Sequence, residues 1–472
     1  MSIFREYDIR GIFEVDLTKE VVVKIGYLLG EEIKKHDNKV AIGYDARTHS
    51  PTLFEWLSYG LQASGLEVFN LGMIPTPVAY YCTFSTEIKS SIMITGSHNP
   101  PQYNGFKITI NKAPFYGEQI QALGKKMASA NVPHITQKDS VKLNVLESYI
   151  DYMTKEFAIL KDLKETIIFD CGNGVAGIAL TKIIENLGLN TIPLYFEPDG
   201  TFPNHHPDPS EEHNLVDIQN ALKTHNAHIG IAFDGDADRV ALISQNHNFK
   251  GDELAILFAR DIAKSIMNPT IIGEVKCSQV MYDSINAIGK SVMYKTGHSN
   301  LKVKLKELNA QLACEMSGHI FFNDRYFGYD DAIYAALRIL ELIYKEKQTH
   351  KNLKTPIETL EESIKSLPKT YSTQEEKIKT DEAQKFHIIT SLQTRLQEIL
   401  KAQKEGKNTD FSADFPEIVE IISIDGVRVV FKDGWGLVRA SNTTPTLVTR
   451  FEAYTEEKLS LYKQALLSLI KQ

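Results

Sequence analysis

Apolar residues along the first two thirds of the chain fall into short runs that repeat one plan three times. Each copy opens with a strand-like run, at 39–44, 166–170 and 270–275. A segment of helical period follows and stops at Gly65, Gly188 or Gly289, and glycine is the residue expected just past a helix end. A second strand-like run comes next, at 66–71, 189–194 and 291–295, and after another helical segment a third, at 91–94, 228–233 and 311–314. Strand–helix–strand–helix–strand order predicts parallel sheets with helices on both faces. Ligands of such sheets sit beyond the carboxyl ends of the strands, so the loops after the third strands are where chemistry is expected.

The pattern then changes. Residues 345–407 are rich in Lys and Glu with helical stretches, and 401–415 reads as an exposed insertion or mobile loop. From 418 onward, short strands separated by Asp425-Gly426, Asp433-Gly434 and Ser441-Asn442 predict an antiparallel sheet. Residues 456–471 form a closing helix with Leu459, Leu466 and Leu469 toward that sheet. The fold class is α/β: three similar α/β domains with mixed, mostly parallel sheets at 1–145, 146–248 and 249–355. A C-terminal α+β domain with an antiparallel sheet follows at 356–472.

Composition narrows the partners. At 472 residues the chain exceeds one core, and 43% hydrophobic with 24% charged residues is ordinary for a soluble globular protein. A net charge of −8 gives no support for a nucleic-acid partner. No apolar run approaches the ~20 residues of a membrane span. The start, MSIFREYDIRG, has early charges and no apolar core, unlike a secretory signal. Cys82, Cys171, Cys277 and Cys314 are scattered, which suits free thiols in a reducing cytoplasm.

The three loops carry the candidate chemistry. In the second copy the run Asp234-Gly-Asp236-Ala-Asp238-Arg239 puts three carboxylates at alternate positions, able to converge on one divalent cation. The alternative is a solvated acidic loop. A calcium EF-hand fails, since Arg239 replaces the sixth-position Gly and Gln245 the twelfth-position Glu; magnesium with a phosphate co-ligand fits better. The first copy has Thr95-Gly96-Ser97-His98-Asn99-Pro100, a turn whose Ser97, if phosphorylated, would bring oxygens to that cation. The third has Glu315-Met-Ser317-Gly-His319, groups able to hydrogen-bond sugar hydroxyls or simply a polar turn. Gly297-His298-Ser299 opens a helix with Lys302 on its first turn, and Lys276 ends a strand; together they favour anion handling. In the last domain, Arg439-Ala-Ser441-Asn442-Thr443-Thr444-Pro445, with Arg450 on the next strand, reads as a hairpin turn or a phosphate cradle. Trp435 reads as packing. Gly172-Asn-Gly174-Val-Ala-Gly177, with Glu197 about 20 residues on, matches the dinucleotide fingerprint. The Pro-rich 198–209 that follows interrupts the expected βαβ continuation, so a tight turn is preferred and an NAD-dependent oxidoreductase is the weak alternative.

From Glu6-Tyr7-Asp8-Ile9-Arg10-Gly11 to the Arg439 loop, these motifs together resemble the α-D-phosphohexomutase superfamily, in particular its bacterial phosphomannomutase/phosphoglucomutase branch. The resemblance implies that Ser97 is the phosphoserine, and that Ser97, Asp234, Asp236 and Asp238 hold Mg2+. It places Arg239 beside them, Glu315, Ser317 and His319 in the sugar-specificity loop, and Arg439, Ser441, Asn442 and Thr443 on the distal phosphate. Tyr7, Arg10, Lys107, Lys276 and His298 match cleft positions, with Lys107, Lys276 and His298 as proton-transfer or electrostatic candidates. The implied reaction interconverts hexose 1-phosphate and hexose 6-phosphate of mannose and/or glucose through a bound 1,6-bisphosphate, in a cytoplasmic monomer or weak oligomer. Phosphoglucosamine mutase is the runner-up; Met316 and the EYDIRG opening favour the mannose/glucose enzymes. Ala237 stands where the family commonly has Gly, a change expected to matter little because the side chain is small. The 401–415 stretch is longer than in close relatives.

Overall fold

The computed structural model of the chain describes residues 3–349, 355–407, 415–442 and 444–470. Three sheets of related topology are followed by one of a different kind. In the first, Glu67–Met73, Lys39–Tyr44 and Ser91–Ile94 lie parallel in that order. In the second, Thr191–Leu194, Ile167–Asp170 and Ile229–Phe233 do the same. In the third, the order is Lys290–Tyr294, Thr270–Glu274 and Leu312–Cys314. Ser91–Ile94, Ile229–Phe233 and Leu312–Cys314 are buried at every position, as strands covered on both faces must be.

Each copy adds, after its chemical loop, a strand that the hydrophobic pattern did not predict, and the first two sheets carry further short strands besides. Tyr103–Ile110, Val240–Ile243 and Ile320–Phe322 return antiparallel against the third strand, pairing Ile94 with Phe106, Phe233 with Val240 and Cys314 with Ile320. The three chemical loops are therefore hairpin connections, not open strand ends. A backbone bond closes each of them: Thr95 N to Gly105 O at 3.0 Å, Asp234 N to Arg239 O at 3.2 Å, and Glu315 N to His319 O at 2.9 Å.

The acidic hairpin is tied into both neighbouring domains. Thr76 N donates to Asp236 O at 2.9 Å from the first domain, and Ala332 N donates to Ala237 O at 3.1 Å from the third. Ala237 has φ +62° and no exposed surface. The expectation that Ala for Gly matters little because of its size is corrected here: the backbone is left-handed, which disfavours any residue with a Cβ by about 1 kcal/mol.

The fourth sheet, with Ile418–Ile422, Val427–Phe431, Gly434–Ala440 and Thr446–Ala453 at its centre, is antiparallel throughout. Helix Glu456–Ile470 covers it with Tyr462, Leu466 and Leu469 buried. Trp435 packs as expected, stacked 3.7 Å from the Arg428 guanidinium. Arg428 also donates to Val275 O and Cys277 O at 2.7 and 2.8 Å, docking this domain on the third. Two sequence expectations shift. Helix Pro356–Lys365 sends Ile357, Leu360 and Ile364 into the core shared by the first three domains, so a boundary at 355/356 falls before a helix that packs backward. Lys401 begins no insertion: helix Lys385–Glu405 runs through it with Ala402 buried, and ends at Gly406 with φ +64°. Residues 408–414 of the expected loop lie outside the described residues.

Behind the cleft, a buried cluster of tyrosines surrounds Asp331. Tyr149 donates to both its oxygens at 3.0 Å, Tyr326 at 2.8 Å and the Tyr334 amide at 2.8 Å. Burial outweighs these donors and pushes the carboxyl up to about 7. The folded chain thus holds this proton more tightly than the unfolded chain. Stability from this group is full below the ordinary carboxylate pKa, declines as pH rises toward about 7, and is flat above, a span of about 4 kcal/mol at most. Asp331→Asn is expected to gain on the wild type in melting temperature between about pH 5 and pH 8. Parallel melting curves across that range would refute the assignment.

Candidate active site

Ser97 is buried at 4% exposure, with φ +48° in the left-handed region. Its Oγ donates to Asp234 Oδ2 at 2.9 Å and lies 3.1 Å from His98 Nδ1; its amide donates to Thr95 Oγ1 at 2.8 Å. The structure thus brings the first and second hairpins face to face. Asp234, Asp236 and Asp238 are fully buried, each with a carboxylate oxygen within 4.8 Å of the others. The solvated acidic loop is excluded.

Cations crowd these carboxylates. Lys107 Nζ donates to Asp236 Oδ2 at 2.6 Å and also to Asp238 Oδ2. Arg239 Nε lies 3.3 Å from Asp234 Oδ2, and its Nη1 donates to Asp208 at 3.2 Å. Arg10 donates to Gly96 O at 2.6 Å and pairs with Asp8 and Asn99. Burial disfavours the Lys107 charge, yet Asp236 and Asp238 outweigh it and hold its pKa well above the ordinary value. Burial likewise opposes the Asp236 charge, but Lys107 wins and its carboxyl is depressed. Asp234 stays raised by burial, Asp238 and Asp236, and Asp238 by burial and Asp236. The cluster is short of positive charge. Asp236 Oδ1 and Asp238 Oδ1 are buried and make no hydrogen bond among the described residues. Two orphaned anionic oxygens beside a third carboxylate are donors suited to a divalent cation, so the residues present fit a metal.

The third hairpin adds an imidazole network. His319 Nδ1 lies 3.1 Å from Asp330 and 3.6 Å from Asp238; His298 stacks on it with centroids 5.7 Å apart. Lys302 donates to Asp330 at 2.8 Å. Burial opposes charge on His319, but Asp238 and Asp330 outweigh it and raise its pKa. His298 is pushed well below its ordinary value by burial and Lys302. The two histidines thus differ in proton affinity by environment alone, the condition for separate acid and base roles. Glu315, raised by burial, accepts from the Gly297 amide at 3.1 Å, and Ser317 Oγ is 3.5 Å away.

Tyr7 joins three domains. Its hydroxyl donates to Thr296 O at 2.8 Å and accepts from Asn442 Nδ2 at 2.6 Å. Arg439 Nε donates to Asp425 at 3.0 Å, and Lys385 Nζ donates to Ser441 O at 2.7 Å and Thr444 O at 3.3 Å. The fourth domain's loop therefore closes over the cleft; Thr443 lies outside the described residues. Lys276 Nζ bonds Glu375 at 3.0 Å, away from the aspartates.

Sequence reasoning missed Asp330, Asp45, Arg47, Thr76, Lys385 and Asp425. Only Asp330 carried a signal, as half of the acidic pair in Tyr329-Asp330-Asp331. The glycine fingerprint is confirmed as a turn: the Asn173, Gly174 and Val175 amides donate to Tyr195, Cys171 and Gly235 carbonyls at 2.9, 2.7 and 3.1 Å. A Cβ on Gly174 would stand 2.6 Å from Gly235 O. Those amides are already used where a pyrophosphate would need them.

A buried serine facing three carboxylates and several fixed cations, with sugar-type polar groups opposite, is an arrangement suited to phosphoryl transfer. The comparisons agree. Models described as phosphoglucomutase/phosphomannomutase alpha/beta/alpha domains I, II and III match residues 1–132, 147–248 and 250–363, and the C-terminal domain matches 375–469. The chain belongs to the phosphoglucomutase/phosphomannomutase family. It is 42% identical to a phosphomannomutase/phosphoglucomutase of Pseudomonas aeruginosa, covering 100% of this chain and 96% of that one. It is 39% identical to a phosphoglucomutase of Neisseria gonorrhoeae over 96% and 94% of the two chains. A crystal structure of a phosphoglucomutase/phosphomannomutase family protein from Burkholderia thailandensis superimposes with a TM-score of 0.85 at 35% identity, over 99% and 97%.

Proposed function

We propose that the protein is a phosphohexomutase that interconverts hexose 1-phosphate and hexose 6-phosphate, of mannose or glucose, through phospho-Ser97 and a bound hexose 1,6-bisphosphate. The observation that carries this reading is Ser97 Oγ bonded at 2.9 Å to the first of three convergent buried aspartates. Asp234, Asp236 and Asp238 would hold the metal, with magnesium suited to hard oxygens that include a phosphate. When bound, it neutralises charge on the transferring phosphoryl group.

In the forward half-reaction the sugar hydroxyl attacks phosphorus and gives its proton to a base, while the Ser97 Oγ–P bond breaks and Oγ takes up a proton. In the return half Ser97 Oγ gives up that proton as it attacks the other phosphate, and the sugar oxygen released regains one. His319, His298 and Lys107 are the candidates for handling these protons, the two histidines differing in proton affinity. Arg10 and Arg239 offer fixed cations to the phosphoryl oxygens without reorganising. The Arg439–Asn442 loop would grip the phosphate that is not reacting, while Glu315 and Ser317 read sugar hydroxyls. The Tyr7–Asn442 contact closes the cleft against water, which would otherwise hydrolyse phosphoserine.

All four loops come from one chain, which supports a monomer or weak oligomer. Among the described residues no helix is long and apolar enough to cross a membrane. Four free, buried cysteines support a cytoplasmic setting. Coupled assays with mannose 1-phosphate, glucose 1-phosphate and glucosamine 1-phosphate test the substrate reading. The first two are expected to turn over at least about tenfold faster in kcat/KM than the third. Preference for glucosamine 1-phosphate would reassign the enzyme.

A further inference from the structure

We propose that Arg47 is a positioning residue for the reaction, a clamp that fixes the Ser97 loop in register with the acidic hairpin; this rests on the phosphohexomutase reading. Arg47 is buried at 1% exposure, and a guanidinium has five N–H donors. Here all five are used. Nε donates to Asp45 at 3.1 Å, Nη1 to Pro100 O and Tyr103 O at 2.7 and 3.0 Å, and Nη2 to Ser97 O and Asn99 O at 2.9 and 2.6 Å. Four carbonyls of one short loop converge on one side chain.

Asp45 completes the clamp from below. It accepts from Thr95 Oγ1 at 2.9 Å and the Gly96 amide at 3.0 Å, and Thr95 Oγ1 in turn accepts from the Ser97 amide at 2.8 Å. The device has a strain to hold. Ser97 sits at φ +48°, a conformation that disfavours a non-glycine residue by about 1–2 kcal/mol. Gly96 leaves the room: a Cβ there would stand 2.2 Å from Arg47 Nε.

The second domain bears on the clamp's other side. The Phe202 ring lies 5.1 Å from Arg47 Cζ, and a Cβ on Gly200 would stand 2.5 Å from Ala46 O and Arg47 Cα. The same Pro-rich segment reaches Asp208, which accepts from Arg239 of the acidic hairpin at 3.2 Å. One strap thus touches both the clamp on the serine loop and the cation beside the aspartates. This assigns a task to residues 199–208, which the glycine-fingerprint reading left unexplained. Among the described residues, Arg47 has no hydrogen bond or ion pair with Glu315, Ser317, His319 or the Arg439 loop. Its loss should misplace Ser97 Oγ without weakening the grip on sugar phosphate.

The test is steady-state kinetics on Arg47→Lys and on Thr95→Val, a near-isosteric change that removes the two hydroxyl bonds linking Asp45 to the Ser97 amide. Intact mass confirms Ser97 phosphate in each sample. A lysine offers three donors to a site built for five, so kcat is expected to fall about 10²-fold, as for misplacement of a reacting group by about 1 Å. Thr95→Val is expected to lose about tenfold. KM should stay within about twofold in both. Wild-type kcat with only a lowered melting temperature in either folded variant would make the clamp merely structural and overturn the proposal. A wild-type protein that turns over no hexose phosphate would instead overturn the functional reading beneath it.

Discussion

Ser97→Ala is expected to lower mutase turnover by on the order of 10⁴-fold or more while the protein still binds hexose phosphate. The serine oxygen is the atom that carries phosphate between the two half-reactions, and alanine leaves nothing to accept it. Binding survives because the groups proposed to hold the sugar phosphate lie on other hairpins: Glu315 and Ser317 on the third, Arg439 and Asn442 on the fourth domain. Only one side-chain bond from the serine oxygen to a carboxylate is lost, that to Asp234. Folding should therefore be little changed, and relief of serine in a buried acidic cluster keeps the loss near 1 kcal/mol or less. A coupled assay reads turnover, calorimetric titration with glucose 6-phosphate reads binding, and intact mass reads the missing phosphate. Wild-type turnover in the variant would sink the phosphoserine scheme. Loss of binding along with turnover would show instead that the serine loop, not the distal loops, supplies the grip.

Much of this site was legible because it lies in local patterns. Alternate aspartates after a buried apolar run, and the glycines that end helices at Gly65 and Gly188, are features within one window of sequence, and the structure places them where those windows predict. In the third copy the helix ends at Asn286, short of Gly289. What was not legible depends on partners far along the chain. Arg47 lies in an ordinary Asp-Ala-Arg turn, and its carbonyl partners are about fifty residues away. Asp330 and Asp331 look alike in sequence. Only the fold sets Asp330 beside Lys302 and two histidines, which outweigh burial and depress its pKa, and leaves Asp331 where burial outweighs its tyrosine donors and raises it. The returning strands Val240–Ile243 and Ile320–Phe322 escaped because they are too short to show a period beside a polar loop. Lys385 was hidden in a Lys- and Glu-rich stretch whose other charges are mostly solvated, and the strain at Ala237 is a backbone property that no side-chain argument reaches.

Lys107→Met is expected to make stability depend on a divalent cation, and to lower turnover by about 10²-fold or more. Lys107 neutralises the Oδ2 side of Asp236 and Asp238, while Oδ1 of both points into buried space without a hydrogen bond among the described residues. A bound cation would have these Oδ1 atoms available to it, while Lys107 holds the Oδ2 side of the same carboxylates. Methionine fills the same channel with no charge. Removing one partner of a buried ion pair costs about 3–5 kcal/mol, because the carboxylates left behind cannot be rehydrated. In the presence of a chelator the variant should melt well below the wild type. Magnesium at about a hundred times its dissociation constant adds ~2.7 kcal/mol to any folded state that binds it. The variant should bind it more tightly than wild type, since the competing ammonium is gone, and recover more of its melting temperature. If chelator and magnesium leave the variant's melting curve unchanged, the three aspartates do not act as a cation site. If the variant matches wild-type stability even with chelator, the Lys107 contacts are not what holds the acidic hairpin folded.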